Sequence, residues 1–406
     1  MSRMQPVPEV EETVAATAAV DHHAHAFRRG ARPVAEGTFR RLFSESDFDE
    51  TLERHVPHQT AYRWGVRRLW SFWDLPGEPP AAPGEAEAAL RERLAGIPFA
   101  DYARMLLEGA RLRTLVLDTG FLPEQYLGVE EMAGLAPCEV REVLRLERAA
   151  AELLSGASSA ADLREALQDR IRRAAAGPQG IVGLKSVIAY RSGLAVEPPP
   201  RAEAEAAFRR TKEAAAAAGG GAPRLVEKAL LDDLLWGALE EAARLELPVQ
   251  FHVGHGDRDT DLRLGNPLHL RRILEEPAFR RVPIVLLHNY PYVAEAAYLA
   301  HIYPNVFADL SLAIPQAGAL AAGLVHEFLG LAPATKLLYA SDAHSLPEFH
   351  YLGSLLYRRA LVEALSRLVQ EDFLSPAEAA ATARDVLAGN ALRVYGRLSP
   401  RGGGAD

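Results

Sequence analysis

Eight short apolar runs, most of them separated by helical stretches, constrain this chain more than any other feature. They read TAAVDHH (17–23), RTLVLDTG (113–120), CEVREVLRLE (138–147), IVGLKSVIAY (181–190), PVQFH (248–252), PIVLLH (283–288), NVFADLSL (305–312) and KLLYASD (336–342). Runs of this length, rich in Val, Leu and Ile, read as buried strands. Strands alternating with helices build a parallel sheet, and eight such units predict an α/β fold, a (β/α)8 TIM barrel. Chemistry in that architecture sits at the C-terminal ends of the strands.

Four of the runs end in residues that bind metals. The first continues as VDHHAH and places His23 and His25 on one face of a strand, because side chains two apart point the same way. The fifth run ends at His252, the sixth at His288 and the eighth at Asp342. A lone strand histidine is more often a hydrogen-bonded core residue. Four strand ends in register reverse that reading. Imidazole and carboxylate suit Zn, Mn or Fe, and a site open on one side suits catalysis. His22 has the opposite phase and is left out of the site. Asp21 either hydrogen-bonds beneath the ligands or caps the strand end.

Composition excludes several classes. Of 406 residues, 49% are hydrophobic and 24% charged, as in a water-soluble globular protein. A net charge of −9 argues against nucleic acid and anionic membranes as partners, leaving a small-molecule substrate. A homo-oligomer is compatible with the composition. The single cysteine, Cys138, excludes an internal disulfide and a cysteine-rich zinc site, and a buried thiol fits it better than a nucleophile. There is no apolar signal core and no run of about 20 apolar residues, so a cytoplasmic location is expected.

Between the first two runs the pattern changes. Asp47 to Trp73 carries apolar residues at helical spacing, PGEPPAAPGE (76–85) is a loop, and helical segments follow near 86–95 and 98–109. This predicts a helical insertion over 27–112. Strand one with its HxH occupies 12–26, the rest of the barrel 113–400, and a GGGAD-type tail, expected to be disordered, 401–406. Helices are further expected over 201–217 and up to Leu245, around a GGGAP break (219–223).

The ligand pattern, with VDHHAH (20–25), GLKSVIAYRSGL (183–194), QFHVGHGDRDTDLRLGNPL (250–268), LLHNYPYVAEAAYLAHIYPNVFADLSL (286–312) and LLYASDAHSLPE (337–348), resembles the amidohydrolase superfamily. Within it the likeness is to the amidohydrolase-2 branch and to the amidohydrolase half of FluG-type and nodulin/glutamine-synthetase fusion proteins. The resemblance implies a divalent metal, zinc above all, as one or two ions held by His23, His25, His252, His288 and Asp342. It also implies that Lys185 is carbamylated in a two-metal site, since an unmodified ammonium has no lone pair to give. The alternative for Lys185 is a salt bridge inside the barrel, with Glu147 of strand three. Asp342 is expected to act as ligand and base, and His288 as ligand or acid/base group. Arg191 would bind a substrate carboxylate, with Tyr290, Tyr292, His255 and Glu348 as further pocket candidates. His255 and the HNYPY sequence depart from the family pattern beside the site. The implied activity is hydrolysis of a C–N bond in a small amide, including γ-glutamyl types, through a metal-activated water. The alternative is a one-metal decarboxylase or lyase of a small carboxylic acid.

Overall fold

The computed structural model describes residues 5–398, except residues 36, 178, 218, 220 and 221. Seven parallel strands form one sheet in sequential order: β1 (Ala19–Ala24), β2 (Leu112–Asp118), β3 (Glu139–Arg145), β4 (Gly183–Ser186), β5 (Val249–Val253), β6 (Ile284–His288) and β7 (Val306–Ala308). Strands β1, β4, β5 and β6 are buried along their whole length, which is why they read as continuous apolar runs rather than alternating ones.

The expected eighth strand is not a regular strand among the described residues. Residues 337–343 instead run extended between the two sheet edges. Leu338 donates its N–H to Ala308 O (2.9 Å), Asp342 to His23 O (3.0 Å), and Ala343 O accepts from His25 (2.7 Å). Asp21 adds a side-chain clamp, accepting from the Ser341 N–H (3.0 Å) and hydroxyl (2.5 Å). The sheet therefore curls until its edges share one segment. The interior agrees: Val20, Val116, Val143, Val182, Val285 and Leu338 meet in one apolar cluster, plugged by Tyr395 and Leu398 near the C-terminus.

Other expected boundaries shift. Only Gly183–Ser186 of run four is strand, and a 3-10 turn takes Ile188–Tyr190. Run seven shortens to Val306–Ala308, because Ser311 folds back onto the Asp309 carboxylate (hydroxyl to Oδ1, 2.7 Å). Glu147 does not lie on strand three but in the helix Leu146–Leu153. Cys138 is half-buried just before β3, and burial pushes its thiol up to about 12.

Between β1 and β2 stand the helices Thr60–Phe72, Pro83–Leu94 and Phe99–Ala110. They carry a core of their own, with Phe39, Phe43, Tyr62, Trp70, Trp73 and Tyr102, closed by Phe349 and Leu352 of the long helix Pro347–Gln370. The helices Arg201–Ala217 and Lys228–Leu245 match the expected segments. The 401–406 tail lies outside the described residues, as does part of the GGGAP break. No described helix is long and apolar enough to cross a membrane.

Candidate active site

The C-terminal end of nearly every strand delivers a histidine or a charged residue to one cavity. His23 and His25 come from β1 and its end, Arg145 from β3, Lys185 from β4, His252 from β5, His288 from β6 and Asp342 from the closing segment. The cavity holds about 220 Å³, a volume for a small molecule. Asp118, at the end of β2, is fully buried just behind it, gripping Arg145 with Nε–Oδ2 at 2.9 Å and Nη2–Oδ2 at 2.5 Å. Burial raises the Asp118 carboxyl, but Arg145 and the nearby histidines outweigh it and hold it well below the usual range.

Three ligand atoms converge. His23 Nε2 is 3.1 Å and His25 Nε2 3.4 Å from Asp342 Oδ1, and the donor atoms of these three residues lie within 4.8 Å of one another. The far nitrogens are pinned. His25 Nδ1 faces the Asp118 carbonyl (2.9 Å), which can only accept, so the proton sits on Nδ1 and the lone pair on Nε2. His23 Nδ1 meets Gln250 Oε1 (2.9 Å), while the Gln250 amide donates to His22 O and Tyr395 Oη, both at 2.8 Å. His23 thus also turns a bare Nε2 toward Asp342. His288 Nδ1 lies 2.9 Å from Ser311 Oγ, whose own proton goes to Asp309, so His288 is the donor there. Burial, assisted by Lys185 for His23 and His252, lowers His23 to about 4 and keeps His252 and His288 well below the ordinary value. These imidazoles are neutral at pH 7 and free to bind a cation.

The backbone is bent to make this arrangement. His288, Asn289 and Asp342 take φ of +70°, +61° and +53°, which non-glycine residues adopt at an energetic cost. The Asp309 carboxylate secures the first bend by accepting the His288 N–H (2.8 Å), and the Asn289 amide donates to Leu286 O and Asp309 O. Such strain is sustained where the surroundings over-determine it, commonly at functional sites.

Nothing among the described residues satisfies the inward atoms. His23 Nε2, His252 Nε2 and Asp342 Oδ1 are buried without a hydrogen-bond partner. Buried polar atoms left without partners cost stability, so a converging set of them fits a bound cation. Burial raises the Asp342 carboxyl, yet His288, His23 and His25 hold it well below its usual range, so it is an anion.

Lys185 is 2% exposed and makes no hydrogen bond or ion pair among the described residues. The expected Glu147 partner is engaged elsewhere: its Oε1 accepts from Ser186 Oγ (2.7 Å) and Val187 N–H (3.0 Å). Burial lowers Lys185 to about 8, against the pull of Asp118 and Asp342. Arg191 lines the same cavity, also without an ion pair among the described residues, whereas Arg224 beside it is bound to Asp259.

The remaining candidates fall outside this cavity. His255 and Tyr290 line an adjoining cleft with Gln316 and Phe48, and Tyr292 donates to Leu262 O (2.6 Å). Glu348 is fully buried at the start of its helix, accepting from the Val34 N–H (2.6 Å), and burial pushes it up to about 7. It is not among the residues that line the cavity. His22 was set aside on phase, but a register shift between Asp21 and Ala24 breaks strict alternation. It lies beneath the ligands, with Nε2 3.0 Å from Asp309 Oδ2 and Nδ1 3.0 Å from Tyr395 Oη.

Several cavity residues were missed. Arg145 and Asp118 end β3 and β2, but the runs read from the sequence extend past them to Glu147 and Gly120, which hides them from the rule that selects His252. Glu45, Asp257 and His344 come from loops without periodicity, and Tyr190 from the 3-10 turn that follows β4. Tyr190 stacks on His252, with ring centroids 4.1 Å apart. Its hydroxyl occupies the space beside Gly256, where a Cβ would collide with it.

A curled parallel α/β sheet with histidines and an aspartate converging at its strand ends defines a barrel-like fold with a candidate metal site. The chain belongs to the Amidohydrolase family Amidohydro_2, whose pattern matches residues 142–397. It is 36% identical over 222 residues to Protein fluG of Emericella nidulans, covering 53% of this chain but 25% of that protein, so the chain spans about a quarter of that relative's length. A solved structure from Lactobacillus casei, described as a metal-dependent hydrolase, is 30% identical, with a TM-score of 0.83 over 98% of this chain and 100% of that one. A uronate isomerase from Thermotoga maritima shares the fold at 13% identity, with a TM-score of 0.67 over 95% of this chain and 96% of that one. The family match and the Lactobacillus casei structure support a metal-dependent hydrolase.

Proposed function

We propose that the protein hydrolyses a C–N bond in a small amide, γ-glutamyl types included, with the help of a divalent cation. The observation that carries this reading is the set of three buried, unpartnered ligand atoms, His23 Nε2, His252 Nε2 and Asp342 Oδ1. His23, His25 and Asp342 would hold one ion, and zinc suits this donor set. His252, His288 and a carbamylated Lys185 would hold a second. A bound cation would supply Lewis acidity toward the substrate carbonyl and acidify water.

The chain's own groups do the rest. Asp342, an anion at neutral pH, takes the proton from the attacking water and passes it to the leaving amine. Hydrogen bonds to Gln250, the Asp118 carbonyl and Ser311 keep three imidazoles in one tautomer throughout. Arg191 offers a substrate carboxylate a two-pronged partner. Metal content of the purified protein, followed by amine release from a panel of small amides, tests this reading. A metal-loaded protein that releases amine from none of them refutes it.

A second reading is a one-ion lyase that removes a carboxylate from a small acid. It is favoured by the single tight cluster of His23, His25 and Asp342 and by the unpaired Arg191. One ion per chain together with CO2 release would establish it in place of hydrolysis.

A further inference from the structure

Two carboxyl groups meet at the mouth of the cavity with no cation between them. Glu45 comes from the segment after β1 and Asp257 from the loop after β5, and both line the cavity that holds the ligand histidines. Their carboxyls hydrogen-bond to each other, and two carboxyls can do so only if one keeps a proton. Neither forms an ion pair among the described residues, although Asp47 and Asp259 nearby are matched by Arg258 and Arg224. The pair is built rather than incidental. Gln316 Nε2 donates to Glu45 Oε1 (2.6 Å), and the Gln316 carbonyl is 3.3 Å from His255 Nε2. His255 thus braces Glu45 through Gln316. Burial and the Asp257 charge push Glu45 up to about 8, and a positive group would relieve the same repulsion.

Arg191 lines the same cavity without an ion pair among the described residues, while its neighbours Arg145 and Arg224 are held by Asp118 and Asp259. The cavity therefore holds a carboxyl pair and a guanidinium that no described residue matches with an ion pair. His252 Nε2, buried without a hydrogen-bond partner among the described residues, marks the same space as built for an occupant.

We propose that Glu45 and Asp257 form an ammonium-binding subsite, and that the substrate is a zwitterionic amide whose scissile bond lies between an ammonium group and a carboxylate. A small dipeptide or an ω-aminoacyl amino acid has this form. The proposal rests on the amide-hydrolase reading and adds to it which amides fit. Glu45 and Asp257 receive the ammonium, Arg191 receives the carboxylate, and the amide carbonyl falls among the ligand histidines. The segment between β1 and β2 thereby sets specificity through Glu45.

Three probes on the zinc-loaded full chain test it: glycylglycine, N-acetylglycylglycine with the ammonium masked, and glycylglycinamide with the carboxylate masked. Calorimetry reads binding, and amine release reads cleavage. Glycylglycine is expected to bind at least about tenfold tighter than either masked probe, the size of one charge-assisted hydrogen bond. Glu45→Gln should abolish discrimination against the acetylated probe and keep discrimination against glycylglycinamide. Arg191→Met should do the reverse. Should Glu45→Gln fail to fold by circular dichroism, Asp257→Asn supplies the same comparison. Equal binding of the three probes, binding of none, or unchanged discrimination in the acid variants overturns the proposal. Because calorimetry needs no turnover, intact charge discrimination without cleavage would support the subsite while counting against the hydrolase reading alone.

Discussion

Replacing Lys185 by methionine separates a paired lysine from an unpaired one. The side chain is 2% exposed and has no acid within ion-pair distance among the described residues. Burial lowers its pKa from 10.5 to about 8. Each unit is worth about 1.4 kcal/mol, so keeping this ammonium charged in the metal-free fold costs about 3 kcal/mol. The sign follows from proton counts. Between pH 8 and 10.5 the unfolded chain holds a proton that the folded chain has released, so wild-type stability rises with pH across that window. Below pH 8 the penalty is present in full. Methionine has a similar length and no charge, so metal-free Lys185→Met should be more stable than metal-free wild type by about 3 kcal/mol at pH 7. Its stability should also lack this contribution to the rise above pH 8. Urea unfolding of EDTA-treated proteins at pH 7 and 9.5 measures both quantities. A loss of about 3–5 kcal/mol at pH 7, the cost of breaking a buried ion pair, would refute the reasoning. The zinc-loaded proteins add a second comparison. The carbamate reading expects the methionine variant to hold fewer ions, and full metal retention would favour the one-ion site.

Other consequences can be measured directly. His23→Ala and His25→Ala should lose metal and activity yet stay folded, because strand-end ligands lie above the apolar layer that carries stability; unfolding with metal retained would contradict this. Asp342→Asn keeps shape but cannot accept a proton, so turnover should fall by about 100-fold or more while part of the metal remains, and near-wild-type turnover would remove Asp342 from the chemistry. Asp118→Ala strands the buried Arg145 guanidinium and should cost about 3–5 kcal/mol in urea unfolding. Since Asp118 is held below the usual carboxylate range, the stability it contributes is present above about pH 4 and is lost as pH falls further; an unchanged acid limb in the variant would contradict the pairing.

Much of this site was legible because two simple rules coincide. Buried parallel strands are apolar along their length, so a histidine or aspartate closing such a run stands out, as His252, His288 and Asp342 do. The two-residue period of a strand then pairs His23 with His25. The same rules fail where the chain departs from regular geometry. A register shift in β1 turns His22 inward beside His23, which phase alone forbids. Left-handed backbone at His288 and Asp342 re-aims side chains that a straight strand would send elsewhere. The apolar residues Val140, Val143, Leu144 and Leu146 extend the strand reading to Glu147, but the helix begins at Leu146. Glu348 lies close to Asp342 in sequence, yet at the start of its helix it is buried against the Val34 N–H rather than lining the cavity.

By itself the sequence determined the parallel α/β architecture, the order of its strands and the histidines and aspartate at their ends. These follow from local periodicity and hydrophobicity, which are written residue by residue. Only the tertiary structure decided which nitrogen of each histidine faces the cavity, that Lys185 lacks Glu147, and that Glu45 and Asp257 meet. These depend on contacts between residues far apart in the chain, such as His23 with Gln250 and Asp21 with Ser341. Their geometry is set when the sheet curls and its two edges share one segment; the local pattern predicts that closure but not which side chains it brings together.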